Sequence, residues 1–233
     1  MITEAFSEAF RLISSGDSDL FEILELSIQV GSSSLLISML LGLPLGTVLA
    51  ISRFPGKQLA VTTLNSLMGM PPVVVGLLVY LLLSRSGPLG VLGLLYTPTA
   101  MVIAQVVLIT PIIAALTYQV IDDLHNEYQD LFKSLNIPLP KAISTYLIDA
   151  RYSLITTVLA GFGRAISEVG AVIIVGGNID HLTRVMTTTI AFETSKGELS
   201  VALALGIILL TLALIINAFV TLLKAFAVRN AYA

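Results

Sequence analysis

The 233-residue sequence contains no cysteine and no tryptophan, and charged side chains make up only 12% of it. The absence of cysteine excludes disulfides, thiolate metal sites and cysteine nucleophiles. Soluble domains carry about 25% charged residues, whereas 56% of this chain is hydrophobic. The composition therefore predicts an integral membrane protein. The net charge of −3 leaves no basic surface for nucleic acid.

Catalytic and metal-binding motifs are also missing. No Gly-x-x-x-x-Gly-Lys-Ser/Thr sequence occurs, so the chain is not expected to hydrolyse ATP itself. His125 and His181 stand alone, without cysteine, histidine or paired carboxylates at the spacing that a metal site requires. No nucleophile and base lie within a recognisable motif. The sequence therefore predicts a protein that is not an enzyme and that holds no metal or cofactor of its own.

Long uncharged runs dominate what is present. A helix needs about 20 apolar residues to cross a bilayer, and four runs of that length carry no charge. A fifth run carries only Arg164 and Glu168. The sequence predicts an all-α membrane domain over residues 26–223 with about five spans. These are residues 26–51, 59–84, 97–121, 152–177 and 199–223.

Prolines and small residues interrupt the first three spans. Pro44, the Pro71-Pro72 pair and Pro111 each lie within a predicted span, with several glycines nearby. Small residues let helix backbones approach closely, and prolines kink them. Two interpretations stay open at this stage. The residues either serve ordinary packing in a bundle or mark helices that bend to line a path.

The distribution of Lys and Arg predicts the orientation. One side of the membrane would hold seven basic residues and the other would hold four, so the first side is predicted to be cytoplasmic. The N-terminus is then outside and the 224–233 tail is cytoplasmic. Residues 1–25 are predicted to form an interfacial segment that begins with an amphipathic helix. Its apolar residues are Ile2, Phe6, Phe10 and Ile13, and its charged residues are Glu4, Glu8 and Arg11.

Residues 122–151 form a charged segment between two apolar runs. This segment carries eight charged side chains, together with apolar residues such as Leu131, Phe132 and Leu135. It is too long for a turn and too hydrophobic for a disordered linker. We expect it to be a compact helical structure on the cytoplasmic surface that is presented to a partner.

Two further features place polar groups in or near the membrane. Arg164 and Glu168 fall near mid-bilayer and share one helix face, where a charge is costly unless it is paired or hydrated. They either lock this helix against its neighbours or face a watery path. Arg184 and the Thr187-Thr188-Thr189 run either hold an oxyanion briefly or serve as an ordinary loop and cap.

The charged segment resembles the coupling loop of ATP-binding-cassette importer permeases. In that family a Glu-Ala-Ala sequence is followed by Gly and later by Leu-Pro. Here Asp130-Leu131-Phe132 stands in place of Glu-Ala-Ala, Asn136 in place of Gly, and Asp149 in place of Pro. Asparagine is the best substitute for glycine where φ must be positive, so we expect Asn136 to form the turn between two helices.

The second half is similar to the molybdate, tungstate and sulfate branch of this family, and most similar to its tungstate permeases. The matching residues are the sequence from Gly161 to Ala171, then Val175 to Ile179, and downstream Arg184, Thr187-Thr188-Thr189, Glu193 and Lys196-Gly197. The resemblance implies the type I importer fold. It also implies an extracytoplasmic binding protein, a second copy of the chain in the lipid bilayer, and a cytoplasmic ATPase dimer that uses ATP and Mg²⁺.

The resemblance implies two groups of site residues. The first couples the chain to the ATPase: Asp130, Leu131, Phe132, Lys133, Ser134, Leu135 and Asn136. The second would line or gate an oxyanion path: Arg164, Ser167, Glu168, Thr156, Thr157 and Asn65. The implied function is oxyanion import, most closely tungstate, by alternating access. Molybdate or sulfate import remains an alternative, as does an ion-coupled secondary transporter that uses Arg164 and Glu168 as a charge relay.

Overall fold

The computed structural model describes residues 2–16 and 18–231, without the side chains of Ile2, Ala5 and residues 225–231. Expectations that involve the side chains of Ile2 and Arg229 therefore lie outside the described residues. Within them the chain forms α-helices, one short 3₁₀ helix and no strand, which confirms the all-α prediction. The helices are α1 (Ile2–Ser14), α2 (Ser18–Ile51), α3 (Lys57–Met68), α4 (Pro72–Leu83), α5 (Pro98–Ser134), α6 (Leu139–Ser167), α7 (Gly170–Gly176), α8 (Met186–Lys196) and α9 (Leu199–Ala231).

Three helices are long and apolar enough to cross a membrane by themselves. They are α2, α5 and α9, the last through its Leu199–Lys224 part. Two further pairs, α3 with α4 and α6 with α7, pass the same test only when each bent pair counts as one span. The described residues therefore contain up to five spans. Each predicted span falls on one of these helices or pairs, and the chain is a multi-pass membrane protein.

The two bent pairs break for different reasons. The α3–α4 break contains Gly69 and Pro71, and Pro72 then occupies the first turn of α4, where a missing N–H costs nothing. The α6–α7 break falls at Glu168 and Val169 and contains no proline. The break in span 59–84 agrees with the bending interpretation of Pro71 and Pro72, whereas no proline indicated the break in span 152–177. By contrast, Pro44 and Pro111 lie inside unbroken helices.

The chain divides into two compact units that share three helices. The first unit comprises Met1–Ser34, Pro71–Gln105 and Gly163–Ala233, and the second comprises Leu35–Met70 and Val106–Phe162. Helices α2, α5 and α6 each contribute to both units. Within residues 1–25, α1 covers Ile2–Ser14 and α2 already begins at Ser18.

In the first unit, α4 packs on α7, while α1 and α8 pack on α9. Gly76 is required at the α4–α7 contact, since a Cβ there would lie 2.7 Å from the Ala171 Cα. In α1, Ala9 is buried against α9, whereas Phe6 and Phe10 are exposed. The core of this unit contains Ala9, Leu20, Met186, Ala204, Leu205 and Ile208.

In the second unit, the later part of α2 packs tightly on α5. A Cβ at Gly46 would meet the Ala114 carbonyl oxygen, so only glycine permits this approach. A second cluster joins α2, α5 and α6 around the buried Tyr146, with Ala50, Ile121, Ala142 and Ala150. Close packing accounts for this glycine without a further role in bending.

The charged 122–151 segment consists of the ends of two long helices. Helix α5 continues to Ser134 and α6 begins at Leu139, so only a four-residue connection separates them. The family resemblance implies a separate short coupling helix over residues 128–137, but residues 128–134 instead form the end of α5. Leu124, Tyr128 and Phe132 recur every four residues and pack against the Tyr146 cluster. This apolar stripe extends α5 beyond its membrane-spanning part.

Candidate functional site

The connection between α5 and α6 is a tight helix-ending turn. Asn136 has φ of +50°, which confirms the conformation expected of the residue that replaces glycine. The Ile137 amide donates to the Phe132 carbonyl at 2.9 Å, and the Asn136 amide donates to the Lys133 carbonyl at 3.2 Å. This pair of bonds is the Schellman pattern, which caps the last carbonyls of a helix.

An aromatic cluster supports the turn from inside the unit. The Phe132 ring lies 5.4 Å from the Tyr146 ring and 5.7 Å from the Tyr128 ring, measured between centroids. The Tyr146 hydroxyl also pairs with His125 Nδ1 at 3.0 Å. Phe132 therefore helps to hold the end of α5 on α6, a role that the sequence did not reveal.

The remaining residues of the predicted coupling group face outward. Leu131 and Leu135 are 55% and 60% exposed, and they lie four residues apart at the end of α5. Asp130 and Lys133 form an exposed ion pair at 3.0 Å, and the Ser134 hydroxyl donates to the Leu131 carbonyl. A cavity of about 540 Å³ lies beside the turn, lined in part by Lys133 and Asn136. An apolar pair with a charged rim is a surface that a protein partner can cover.

The predicted pair in the fifth span forms. Arg164 Nη2 lies 3.2 Å from Glu168 Oε2, and the Glu168 side chain is only 3% exposed. Glu168 Oε1 also accepts from the Ala171 amide at 3.0 Å, in the first turn of α7. Thr187 Oγ1 donates to the Glu168 backbone carbonyl at 2.8 Å. The Glu168 carboxylate therefore pairs with the Arg164 guanidinium and also accepts a hydrogen bond from the first turn of α7.

The other predicted path residues are spread along two helices. Ser167 is exposed beside Arg164 and donates to the Gly163 carbonyl. Thr156 is exposed on α6 and Asn65 is exposed on α3. Thr157 is buried and donates to the Ser153 carbonyl, so it does not face an open surface of this chain. Arg164, Ser167 and Glu168 lie within one helical turn of each other at the end of α6.

The threonine run at the start of α8 has a structural role. Thr188 Oγ1 accepts from the Val185 amide, and Thr189 Oγ1 donates to the Val185 carbonyl. All three threonines are at most 9% exposed, and Arg184 pairs with Asp180. These contacts favour the loop-and-cap interpretation over a direct role in holding an anion.

Sequence reasoning missed a buried polar network in the first unit. Ser34 Oγ donates to Gln105 Oε1 at 2.6 Å, and Gln105 Nε2 donates to the Ala165 carbonyl at 3.2 Å. The network joins α2, α5 and α6 next to Arg164. The available signal was Gln105 itself, an amide inside a predicted span, where an unpaired polar group is costly.

Residues 42–227 match the family described as the binding-protein-dependent transport system inner membrane component. The chain belongs to this family of transport permeases. Its helices are therefore those of an ATP-binding-cassette type I permease fold. The chain is thus the membrane component of a transport system.

Several proteins resemble this permease over most of their length. A tungstate uptake system permease protein, TupB, of Peptoclostridium acidaminophilum is 43% identical over 94% of the chain and 96% of its own length. A probable anion ABC transporter permease protein of Haloferax volcanii is 39% identical over 85% and 88%. TupB of Campylobacter jejuni is 34% identical over 94% and 92%.

Proposed function

We propose that this chain is the permease subunit of an importer that moves a tetrahedral oxyanion, most specifically tungstate, into the cytoplasm. The observation that carries the proposal is 43% identity to a tungstate uptake permease along nearly the full length of both chains. Molybdate and sulfate share the same shape and charge, and sulfate permeases are similar at only 24–27% identity. That difference favours tungstate as the cargo.

A separate ATPase dimer supplies the energy in this proposal. The sequence lacks the phosphate-binding loop of an ATPase, so ATP and Mg²⁺ would be bound by the partner. The exposed Leu131 and Leu135 and the turn at Asn136 would enter that partner. Support comes from the exposure of both leucines, in the last turn of the 37-residue helix α5 and just after it.

The proposed cycle is alternating access by two copies of the permease. ATP binding brings the two ATPases together and moves the coupling turns, so that the path opens outward to a docked binding protein. The oxyanion enters the path, and ATP hydrolysis returns the path to the cytoplasmic side. The N-terminus lies outside and the C-terminus inside, as the basic residues predict.

The proposed path passes the α6–α7 break. Arg164 is one-third exposed while its carboxylate partner is buried, so the guanidinium can present N–H groups to an anion without losing Glu168. The exposed Ser167 hydroxyl lies on the same turn. Thr156 and Asn65 are further candidates because both are polar and exposed within the membrane domain. A partly neutralised arginine attracts a dianion without binding it tightly.

Reconstitution with the ATPase and the binding protein tests the cargo. Proteoliposomes should accumulate tungstate when ATP is enclosed on the ATPase side, and excess sulfate should compete poorly. Stronger inhibition of uptake by sulfate or molybdate than by unlabelled tungstate would transfer the assignment to that anion. ATP-independent uptake driven by an ion gradient would refute the importer itself and support the secondary transporter.

A further inference from the structure

A further cavity lies in the first unit, at the C-terminal end of α4. Its volume is about 640 Å³, and it is formed by the end of α4 and the loop that leads to α5. The polar side chains of its lining are Tyr80, Ser84, Arg85, Ser86 and Tyr96. None of the lining residues is acidic.

Arg85 is far in sequence from every other charged residue. It is the one charged residue between Lys57 and Asp122, so no carboxylate is available within more than 25 residues on either side. It makes no ion pair among the residues that the structure describes. The other three basic residues predicted to lie on the outer side each have a carboxylate partner, in the pairs Arg11–Glu8, Arg184–Asp180 and Lys196–Glu193.

Hydrogen bonds fix the loop that carries these groups. The Leu89 amide donates to the Leu82 carbonyl at 3.0 Å, which folds the loop back on α4. The Tyr96 amide donates to the Val175 carbonyl at 2.9 Å, which ties the end of the loop to α7. The cavity is therefore held by backbone contacts and does not depend on mobile side chains alone.

Several hydroxyl groups line the same cavity as Arg85. The rings of Tyr80 and Tyr96 meet edge to face at 6.4 Å, and a hydrogen bond with Tyr80 raises the pKa of Tyr96. The two phenols share one hydrogen bond, so one of their two protons remains available to a ligand. Ser86 Oγ lies 3.4 Å from Ser84 Oγ, whose own proton goes to the Leu81 carbonyl. A cation with protonated hydroxyls and no carboxylate is the chemistry of an anion site.

We propose that this cavity binds a tetrahedral oxyanion through the Arg85 guanidinium, the free phenol of the Tyr80–Tyr96 pair and the Ser86 hydroxyl. Two sources share this chemistry: a free oxyanion and the phosphate of a phospholipid. The guanidinium presents paired N–H groups that match two oxygens of such an anion. The identification of the free anion as tungstate rests on the proposed function. The proposal that the cavity binds an oxyanion does not. In the proposed orientation, the free anion would be held here on the outer side before it enters the path.

The free-anion arm of the test uses the full chain, purified without phospholipid in dodecyl maltoside and phosphate-free buffer. Equilibrium dialysis with sodium tungstate should reveal one saturable site. Arg85→Gln should weaken it about tenfold or more, the loss expected for a charged hydrogen-bonding group. Arg85→Lys should weaken it less, and Arg11→Gln, a matched charge removal on the same predicted side, should leave it unchanged. Equal unfolding temperatures would show that Arg85→Gln is folded.

The lipid arm counts phosphatidylglycerol bound to chain purified with lipid, by native mass spectrometry. If the wild type keeps one more lipid than Arg85→Gln, and tungstate binds only after that lipid is removed, the ligand is the lipid phosphate. If lipid counts agree and tungstate binding differs, the ligand is the free anion. Tungstate binding and lipid counts that are both unaffected by Arg85→Gln would overturn the site.

Uptake by the assembled wild-type importer separates this inference from the proposed function. ATP-driven tungstate uptake combined with binding that is insensitive to Arg85 overturns the cavity alone. Arg85-dependent binding combined with no ATP-driven uptake overturns the importer alone.

Discussion

Arg164, in the last turn of α6, lies 3.2 Å from Glu168, the first residue after that helix ends. The carboxylate is buried and also accepts from the Ala171 amide at the start of α7. The Glu168 side chain thus neutralises Arg164 and also accepts a hydrogen bond from a backbone amide next to the helix break. Both tasks follow from the high cost of unpaired polar groups in lipid.

Glu168→Ala should destabilise the permease. The change leaves the Arg164 guanidinium and the Ala171 amide without their partner, and such losses cost about 1–3 kcal/mol. Glu168→Gln should cost less, because the amide oxygen can still accept from Ala171. The measurement is thermal unfolding in detergent, followed by circular dichroism at 222 nm.

The control for this prediction is the exposed Glu8–Arg11 pair on α1. Glu8→Gln should change the unfolding temperature little, since solvated pairs contribute about 0–1 kcal/mol. The double variant Arg164→Met with Glu168→Leu should lose less stability than the sum of the losses in Arg164→Met and Glu168→Leu alone. Additive losses would show that the pair is not coupled.

Leu131→Asp and Leu135→Asp should uncouple ATP hydrolysis from transport while the chain still inserts and folds. Both side chains are more than half exposed, so a charge costs the free chain little but would be buried by an ATPase. The assay is stimulation of ATPase activity by the binding protein, together with co-purification of the ATPase. Leu131→Met and Leu135→Met are the controls and should keep both.

Phe132→Asp is a poor probe of the same contact, because Phe132 packs against Tyr146 within its own unit. This variant should lower the unfolding temperature. Normal ATPase stimulation in the two leucine-to-aspartate variants would refute the coupling assignment, whatever Phe132→Asp does.

The parts of the fold that depend on local chemistry were predictable from the sequence. Span length follows from the bilayer, and the positive φ of Asn136 follows from the residue that it replaces. The α6–α7 break was not predictable, because Thr187, 19 residues away, bonds the Glu168 carbonyl there. The Gln105 network likewise depends on partners 60 and 71 residues away in sequence.

The prolines show the same limit. Pro71 and Pro72 lie at a helix break, whereas Pro44 and Pro111 lie inside continuous helices. Residue type alone does not separate these outcomes, because tertiary packing decides whether a helix with a missing hydrogen bond continues. The extension of α5 through the charged segment also depends on packing, through Tyr128 and Phe132 on Tyr146.

Gly76→Ala should destabilise the first unit by about 1–3 kcal/mol, the usual cost of overpacking. The added Cβ would lie 2.7 Å from the Ala171 Cα, so α4 and α7 would have to separate. Gly206→Ala is the matched control, because its Cβ would meet nothing within 4 Å. That change should be neutral or stabilising by about 0.5–1 kcal/mol. Equal unfolding temperatures for the two variants would contradict the tight α4–α7 contact.

The loop before α8 should add a pH-dependent contribution to stability. His181 Nδ1 lies 2.8 Å from Glu22 Oε2, and this hydrogen bond, with the charges of Glu22, Asp180 and Asp19, raises the pKa of His181 above 6.5. The contribution is complete below that unfolded value. It is lost as pH rises through the higher folded-state pKa.

Two measurements check this contribution. Titration of His181 by NMR should give a lower pKa in Glu22→Gln than in the wild type. Between about pH 6 and 8, the wild-type unfolding temperature should fall more than that of His181→Asn. Asparagine suits the control because residue 181 has φ of +54°. An unchanged His181 pKa in Glu22→Gln would exclude the pair in solution.

Reconstitution of this chain alone, compared with the chain plus its ATPase and binding protein, tests the central claim most directly. The quantity to measure is tungstate accumulated inside proteoliposomes against its concentration gradient. We predict accumulation only when both partners and ATP are present, because the sequence lacks the phosphate-binding loop of an ATPase. Accumulation by the chain alone, with no partner and no ATP, would contradict the account.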